Sequence, residues 1–386
     1  MATIKEVAQA ARVSIATVSR VYSGTAKVSE RTASRVRTAA AMLDYWPNSA
    51  ARSLSTNRTH ALGVLLPDLF GEFFSEVIRG IDREARRERL QILISSSHAS
   101  SEEFVAAARS MRGRIDGLVA MTPDADSMAA IQQIQRSMRV VLLNPWSAVD
   151  GCDAVSIGSF EGAAGLTRHL IGLGHRRIAT LTGPEGNIDT YDRLRGYRAA
   201  LEAAGIEPDA DLIIPGDFTE ASGYASVAKI LGRRPRPTAV FAANDYMAIG
   251  LLGALRDARI QVPQDLAVAG FDDIPIAQYL SPPLTTVRVD AYVFGQRAVQ
   301  LWMQSDAGNG ARRETLPTHL IVRASCGEAL GSQRRGRSRS GRGLHEGQNR
   351  RVTVRDSGDE RRQERRARSA EIGNRESDSR GSRDVD

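Results

Sequence analysis

Near the start of the chain stands the stretch Val13-Ser14-Ile15-Ala16-Thr17-Val18-Ser19-Arg20. Ser14 belongs to the residue types that favour the N-cap of a helix, so a helix is predicted to begin directly after it. Helical spacing turns Val18 inward. The outer face of this helix is predicted to present Ile15, Ala16, Ser19 and Arg20.

A second short helix is predicted before this stretch. Thr3 and Glu6 stand three residues apart, which is the capping-box spacing in which each side chain satisfies the other residue's amide. The apolar face that follows consists of Ile4, Val7, Ala8 and Ala11. Two short helices joined by a tight turn near Arg12 are typical of a helix-turn-helix.

Any small helical hairpin would share this pattern, but two observations favour a DNA-binding unit. Residues 1–60 contain nine Lys and Arg against three Asp and Glu. A third helix, capped by Ser29, is predicted from the spacing of Val36, Ala40 and Leu43, and it also contains Arg31, Arg35 and Arg37. A compact basic unit of three helices at a chain end is typical of proteins that bind DNA.

Four motifs in this region resemble the lactose/galactose repressor family of bacterial transcription regulators. They are Ile4-Lys5-Glu6-Val7-Ala8, Val13-Ser14, Ala16-Thr17-Val18-Ser19-Arg20 and Asn48-Ser49-Ala50-Ala51-Arg52-Ser53-Leu54. The resemblance implies a homodimer that places one recognition helix in each major groove of a pseudo-palindromic operator. The DNA-contacting residues it implies are Thr3, Ser14, Ile15, Ala16, Thr17, Ser19, Arg20, Asn48, Ala51 and Leu54.

A short helix over residues 49–55 is predicted to follow the cap Asn48. It is too short to be stable alone, so we interpret it as a hinge that folds when it pairs with its twin on DNA. In the family the matching leucine, here Leu54, wedges between base pairs in the minor groove. The alternative is a plain linker with one exposed leucine.

Length and composition limit the class of protein. A chain of 386 residues with 42% hydrophobic residues is long enough for two or three domains. There is no apolar run of membrane-spanning length and no signal-peptide pattern, and the two cysteines, Cys152 and Cys326, have no metal-binding spacing. We therefore expect a cytoplasmic, nucleoid-associated protein without cofactor, structural metal or membrane partner.

The charge is unevenly distributed along the chain. Residues 61–330 contain 27 Lys and Arg against 32 Asp and Glu, whereas residues 331–386 contain sixteen Arg against ten acids. Only the two ends of the chain therefore carry a charge that favours the binding of polyanions. The segment 331–386 has almost no apolar residues and is predicted to be disordered. It is either a DNA-tethering extension or the product of an altered reading frame, and we favour the second.

From Ala61 the pattern changes to alternating strands and helices. A first series of strands is predicted at 62–66, 90–94, 117–121 and 140–143, and a second near 155–157, 178–181, 212–214, 239–242 and 266–269. Helices are predicted at 74–85, 104–112, 131–138, 162–171, 193–204 and 247–258. Two such α/β series predict two lobes with parallel sheets and a ligand cleft between them.

The resemblance to the lactose/galactose repressor family continues over about residues 2–327. Its strongest motifs are His169-Leu170-Ile171-Gly172-Leu173-Gly174-His175-Arg176-Arg177-Ile178-Ala179, Ala243-Asn244-Asp245, Gly270-Phe271-Asp272-Asp273 and Pro282-Pro283-Leu284-Thr285-Thr286-Val287. It implies a fold like the periplasmic sugar-binding proteins, with crossovers between lobes and a last helix, 292–305, that returns to the first lobe. The predicted domains are a headpiece (1–47), a hinge and linker (48–60), a two-lobed effector-binding and dimerisation domain (61–330) and the tail (331–386).

Several polar residues follow predicted strands and are expected to converge on the cleft. Asn244 and Asp272 do so, and Arg193 is predicted to begin a helix. An amide, a carboxylate and a guanidinium offer paired donors and acceptors for vicinal hydroxyls or a ring edge, with flat aromatic faces beside them. The effector-binding residues predicted here are Asp68, Phe73, Phe74, Trp146, Arg193, Phe218, Asn244 and Asp272. The alternatives are a loop cap for Asp272, a salt bridge at a helix start for Arg193 and a core position for Phe73 or Phe74.

One departure from the family concerns Gly158-Ser159, where many members have Asp-Asn. The sequence predicts that a polar contact is lost there and that the effector differs from that of close relatives.

Two other classes of protein share part of this pattern. A glycoside hydrolase would use two of Asp245, Asp272 and Asp273, but no nucleophile elbow, P-loop or metal motif accompanies them. A free-standing sugar-binding protein would not need the basic headpiece. The sequence therefore predicts a ligand-responsive DNA-binding regulator, not an enzyme. Its effector is a sugar or derivative, or less favourably a nucleobase, and whether that effector releases or promotes DNA binding stays open.

Overall fold

The computed structural model describes residues 2–23, 28–46, 58–122, 127–304 and 310–327. The predicted hinge residues Asn48, Ala51 and Leu54 and the tail 331–386 lie outside the described residues.

The headpiece contains the three predicted helices, α1 (Ile4–Ala10), α2 (Ile15–Ser23) and α3 (Glu30–Met42). Their shared core is formed by Val7, Val18 and Val36, whose side chains have no exposed surface. Leu43 does not continue the apolar stripe: it is the C-cap of α3 and is 37% exposed, because the helix has already ended.

Local hydrogen bonds fix the turns of the headpiece. The backbone amide of Thr3 donates to Glu6 Oε2 at 2.6 Å and that of Glu6 donates to Thr3 Oγ1 at 3.4 Å, which confirms the capping box. Ser14 Oγ accepts from the amide of Thr17 at 3.1 Å and caps α2. The guanidinium of Arg35 donates to the carbonyl oxygens between α1 and α2, at 3.2 Å in the case of Arg12. Arg35 therefore stabilises the turn that sets the angle between the first two helices.

The body is built from strands that alternate with helices. The strands are β1 (Ala61–Leu66), β2 (Gln91–Ser96), β3 (Gly117–Met121), β4 (Arg139–Leu143), β5 (Asp153–Ile157), β6 (Ile178–Leu181), β7 (Ile213–Ile214), β8 (Ala239–Ala242), β9 (Ala267–Ala269), β10 (Thr286–Arg288), β11 (Arg313–Leu316) and β12 (His319–Ile321). The helices are α4 (Glu72–Arg87), α5 (Ser101–Met111), α6 (Ser127–Ile134), α7 (Ser159–Gly172), α8 (Ile188–Ala203), α9 (Glu220–Gly232), α10 (Asp245–Asp257) and α11 (Ala291–Met303). No helix among the described residues is both long and apolar enough to cross a bilayer.

Two parallel sheets form the cores of two lobes. Within the described residues the first sheet has the order β11-β5-β4-β3-β1-β2 and the second has the order β7-β6-β8-β9. The chain crosses between the lobes after β5, after β10 and after β11. β10 pairs with β12 in an antiparallel ladder next to these crossings.

The placement of β5 corrects the sequence prediction, which assigned this strand to the second series. In the structure β5 pairs with β4, with Val141 opposite Asp153, and so completes the first sheet. The side chain of Arg139 at the start of β4 donates to Asp153 at 2.5 Å and to the carbonyl oxygen of Leu301 at 2.7 Å. Hydrophobic alternation identifies a strand but does not identify the sheet that it joins.

The last helix, α11, returns to the first lobe and packs on α4, as the resemblance implied. Two glycines allow the close approach. A Cβ atom on Gly80 would lie 2.0 Å from the carbonyl oxygen of Tyr292, and one on Gly295 would lie 2.1 Å from that of Val77. The small strand β11, which the sequence did not predict, follows this helix and pairs with β5.

Candidate functional site

The outer face of α2, the predicted recognition helix, is exposed in the described part of the headpiece. Ile15 is 44% exposed, and Ala16, Ser19 and Arg20 are exposed as well. Within the described residues the guanidinium of Arg20 makes no hydrogen bond or ion pair, so it is available to a ligand. Thr17 is half-buried and its hydroxyl lies 2.9 Å from Ser14 Oγ.

Arg193 is the centre of the polar site between the lobes. It lies in the second turn of α8, which begins at Ile188, so the prediction that it starts a helix was wrong. Its side chain is 5% exposed, and Nη2 donates to Asp272 Oδ1 at 3.1 Å and to Asp189 Oδ1 at 3.5 Å. Nη1 donates to the carbonyl oxygen of Ala243. The salt bridge that the sequence left as an alternative for Arg193 is therefore present, and it is buried.

Aromatic rings and unpaired polar atoms surround this guanidinium. Its central carbon lies 3.9 Å from the ring centroid of Phe271 and 5.9 Å from that of Phe218. Arg193 Nε and Thr190 Oγ1 are buried and have no hydrogen-bond partner in the described part of the chain. Buried polar groups are normally paired, so these two atoms mark a place where a bound ligand would complete the hydrogen bonding.

Asp272 is held in an unusual conformation and environment. It is 9% exposed and has a backbone φ of +108°, and its amide donates to the carbonyl oxygen of Val287 at 2.8 Å. Burial raises the pKa of Asp272 to about 7, although the charge of Arg193 acts to lower it. A ligand that donates a hydrogen bond to this carboxylate would favour its charged form and lower the pKa.

Asn244 positions Phe218. Its Oδ1 accepts from the amide of Met247 at 2.9 Å, which caps α10, and its Nδ2 donates to the carbonyl oxygen of Phe218 at 2.9 Å. A Cβ atom on Gly183 would lie 2.2 Å from the Phe218 ring, so only glycine leaves room for the ring there.

The other acidic residues considered for hydrolysis already have internal partners. Asp245 is fully buried and accepts from Thr286 Oγ1 at 2.6 Å and from the amide of Ile274 at 2.9 Å. Burial raises the pKa of this carboxyl well above its ordinary value. Asp273 pairs with Arg288 and Arg323, each at 2.7 Å. Both carboxylates are therefore bound to partners within the body.

The first lobe contributes mainly aromatic residues. Phe73 and Phe74 are half-buried and meet edge to face, with ring centroids 5.3 Å apart, while both also pack on the core. Asp68 is exposed, and its carboxylate accepts from the amides of Leu69 at 2.6 Å and Phe70 at 3.0 Å, which shapes its own loop.

Direct contacts bridge the two lobes. Trp146 Nε1 donates to the carbonyl oxygen of Gly186 at 3.0 Å, and the Trp146 ring lies 5.7 Å from that of Tyr191. On the opposite side the amide of Glu72 donates to Tyr246 Oη at 2.6 Å, and Glu72 Oε2 accepts from the amide of Ile276 at 3.3 Å. A cavity of about 230 Å³ lies between the lobes and is lined in part by Phe73 and Asp272.

Sequence reasoning missed several of these residues. Tyr246 bridges the lobes through Glu72, which lies 174 residues away in sequence. Asp189 belongs to the polar site, where it meets Arg193 four residues away and Ser159 30 residues away. At the departure Gly158-Ser159 the loss of a polar contact was expected, yet Ser159 Oγ donates to Asp189 Oδ1 at 2.8 Å. A short acidic segment before Arg193 was the only signal for Asp189.

Comparison with known proteins places these features in a family context. Residues 3–48 match the model for bacterial regulatory proteins of the lacI family, and residues 167–326 match that for a periplasmic binding protein-like domain. The ribose operon repressor of Escherichia coli (strain K12) is 35% identical over 304 residues, which cover 78% of this chain and 92% of that repressor.

Solved structures give the same result. The lac repressor dimer bound to operator and the anti-inducer ONPF is 28% identical, with a TM-score of 0.76 and coverage of 84% of this chain and 99% of that one. The complex of the transcriptional regulator CelR with cellobiose is 32% identical, with a TM-score of 0.65 and coverage of 84% and 100%.

Proposed function

This chain belongs to the lacI family of bacterial regulatory proteins and is a DNA-binding transcription regulator, and we propose that it is a homodimeric repressor gated by a sugar or sugar derivative held between its lobes. The proposed division is a headpiece over 1–47, a hinge and linker over 48–60 and an effector domain over 61–330. A regulator of this kind works in the cytoplasm at the nucleoid and has no catalytic role.

The observation that best supports the DNA-binding role is the exposed face of α2. Arg20 is free to form two hydrogen bonds with a guanine, which is worth about 1–3 kcal/mol of discrimination against other bases. Ile15 and Ala16 lie on the same face and suit apolar contact with a thymine methyl group. Thr3, Ser14, Thr17 and Ser19 serve phosphates or packing. Two such helices in a dimer match a pseudo-palindromic operator.

The effector proposal is supported by the buried polar site between the lobes. Arg193 and Asp272 offer donors and acceptors, and Phe218 offers an aromatic face, which together suit a ring that bears hydroxyls. Asn244 holds Phe218 in place, while Asp68, Phe73, Phe74 and Trp146 provide the first-lobe side of the site. Two of the compared proteins are named for, or bound to, ribose and cellobiose.

Effector and operator binding are proposed to be coupled through the hinge. A ligand that bridges the lobes shifts the first lobes of the dimer relative to each other and changes whether Asn48, Ala51 and Leu54 of the two hinges can meet on DNA. Coupling of this kind is reciprocal, so DNA changes effector affinity by the same factor. Operator affinity measured with and without the effector decides whether the effector releases DNA or is required for DNA binding.

Selection of operator DNA from random sequence tests the DNA-binding proposal. Wild-type protein should enrich a pseudo-palindrome, and Arg20→Ala should lower the preference for that site over scrambled DNA by roughly 30-fold or more, because the homodimer loses one guanine contact of about 1–3 kcal/mol in each of its two half-sites. The matched control is Arg31→Ala, an exposed arginine on α3, which should weaken binding to all sequences alike. An unchanged operator preference in Arg20→Ala would contradict the assignment.

A thermal-shift screen of sugars, sugar phosphates, nucleosides and purines tests the effector proposal. A sugar that stabilises the protein and also changes operator affinity would support it. A purine or nucleoside that does so instead would replace the sugar with the nucleobase alternative.

A further inference from the structure

The interlobe site contains a second carboxylate, Asp189, beside the pair of Arg193 and Asp272. We propose that Asp189 determines specificity and makes the site select an uncharged polyhydroxylated ligand over a phosphorylated one. This inference rests on the proposed function, because it names the class of effector that the same site takes.

Asp189 and Asp272 share one guanidinium. Arg193 Nη2 lies 3.1 Å from Asp272 Oδ1 and 3.5 Å from Asp189 Oδ1. The side chain of Asp272 is 9% exposed and that of Asp189 is 18% exposed. Neither Oδ2 atom accepts a hydrogen bond from the residues that the structure describes. Carboxyl oxygens accept hydrogen bonds, so these free oxygens suit hydroxyl groups, which donate them.

Complementary donors lie on the same side of α8. Arg193 Nε and Thr190 Oγ1 are both buried without partners in the described residues. Thr190 Oγ1 and the ring of Phe218 approach the same point, 2.4 Å and 2.2 Å from where a Cβ atom of Gly183 would stand. The site therefore combines free acceptors and free donors with the aromatic face of Phe218, which is the set of contacts that a sugar ring uses.

The charge balance of this cluster opposes an anionic ligand. Arg193 is the only cation among the residues that form the cluster, and two carboxylates already lie within 3.5 Å of it. The charge of Asp189 is one of the influences that raise the pKa of Asp272. A phosphate group would bring further negative charge into a buried site without adding a cation, which is costly.

Ser159 holds Asp189 in the cluster. Ser159 is 2% exposed and its hydroxyl donates to Asp189 Oδ1 at 2.8 Å. Asp189 also lies in the first turn of α8, where an acidic residue is favourable, so a purely structural role must be distinguished from recognition. Asp189→Asn makes this distinction, because the amide oxygen still accepts from Ser159 and Arg193 while the charge is lost.

The test is calorimetric titration of the full-length chain with D-ribose, D-glucose and cellobiose, and with ribose 5-phosphate and glucose 6-phosphate. Wild-type protein should bind a neutral sugar at least about 10-fold more tightly than the phosphate of that sugar. Asp189→Asn should weaken binding of the neutral sugar by roughly 10- to 100-fold and narrow the gap to its phosphate. Ser159→Ala should weaken binding by only about 2- to 10-fold and leave the preference in place.

Asp192→Asn is the matched control. Asp192 lies on the same helix, but its carboxylate pairs with Arg195 at 2.9 Å outside the cluster. Its replacement should change neither the affinity nor the preference. Equal effects of Asp189→Asn and Asp192→Asn would overturn the inference, and so would a sugar phosphate that binds as tightly as its parent sugar.

Operator binding by the same preparation separates the two proposals. A protein that selects operator DNA but prefers the phosphorylated sugar contradicts the inference about Asp189 alone. Failure to select DNA contradicts the proposed function, and the ratio of sugar to sugar-phosphate affinity still decides the inference.

Discussion

Replacing Arg193 by methionine should destabilise the body of the protein in a pH-dependent manner. Methionine retains most of the apolar length of the side chain, but it leaves Asp272, which is 9% exposed, without its cation. Removal of one partner of a buried ion pair typically costs about 3–5 kcal/mol, because the remaining charge is buried without compensation. The change also removes the stacking of the guanidinium on Phe271 at 3.9 Å.

The sign of the pH dependence follows from the pKa of Asp272. This pKa is about 7 in the folded protein and about 3.9 in an unfolded chain, so the folded protein keeps a proton that the unfolded chain loses. The stability contributed by this proton is complete below about pH 4 and is lost as the pH rises through about 7. Without Arg193 the folded pKa rises further, so the loss continues to higher pH in the variant. The extra destabilisation of the variant should therefore be larger near pH 8.5 than near pH 6 by up to about 2 kcal/mol, since each pH unit above about 7 adds at most about 1.4 kcal/mol.

Thermal unfolding at these two pH values measures the difference. At about 2 °C per kcal/mol for a chain of this size, we expect the variant's fall in melting temperature to be larger near pH 8.5 than near pH 6 by up to about 4 °C. Arg195→Met is the matched control, since Arg195 is 51% exposed in its pair with Asp192 and should change the melting temperature little at either pH. The double variant that carries both Arg193→Met and Asp272→Asn should regain most of the melting temperature that Arg193→Met loses. Equal losses at the two pH values would refute the reasoning.

Three further changes test other parts of the molecule. Gly80→Ala places a methyl group 2.0 Å from the carbonyl oxygen of Tyr292 and should cost about 1–3 kcal/mol, whereas Gly172→Ala meets open space and should cost nothing in the same melting experiment. Thr3→Ala removes the N-cap of α1 and should lower headpiece stability by about 0.5–2 kcal/mol, measured by hydrogen exchange; unaltered protection would contradict the cap. Leu54→Ala should reduce the operator bend seen by gel mobility, and the wedge proposal fails if the bend angle stays the same.

The features that sequence predicted correctly are those set by local chemistry. The capping box of Thr3 and Glu6 and the cap at Ser14 lie within three residues of their partners, and the structure contains all of them. The positions of the strands also follow from apolar runs, because buried parallel strands need side chains of that kind on both faces.

The features that it missed depend on contacts between distant segments. Periodicity did not show that β5 joins the first sheet, because both lobes use the same pattern. The ion pair of Arg193 and Asp272 spans 79 residues, so the sequence suggested the two residue types without showing that they meet. The role of Asp189 was missed for a different reason: Arg193 is only four residues away, but a first-turn acid is common on any helix.

The first sheet takes β5 from one part of the chain and β11 from another, and this affects how the protein is made. When Ile157 has just been added to the growing chain, only part of that sheet has been synthesised. Leu316 is added roughly 8–30 s later at ordinary elongation rates. The complete second sheet is synthesised in that interval, so it can fold before the first sheet is finished. A nascent chain of this protein therefore exposes the unpaired edge of β5 for the whole interval, which is where we expect a chaperone to bind and where translational stalling would be most damaging.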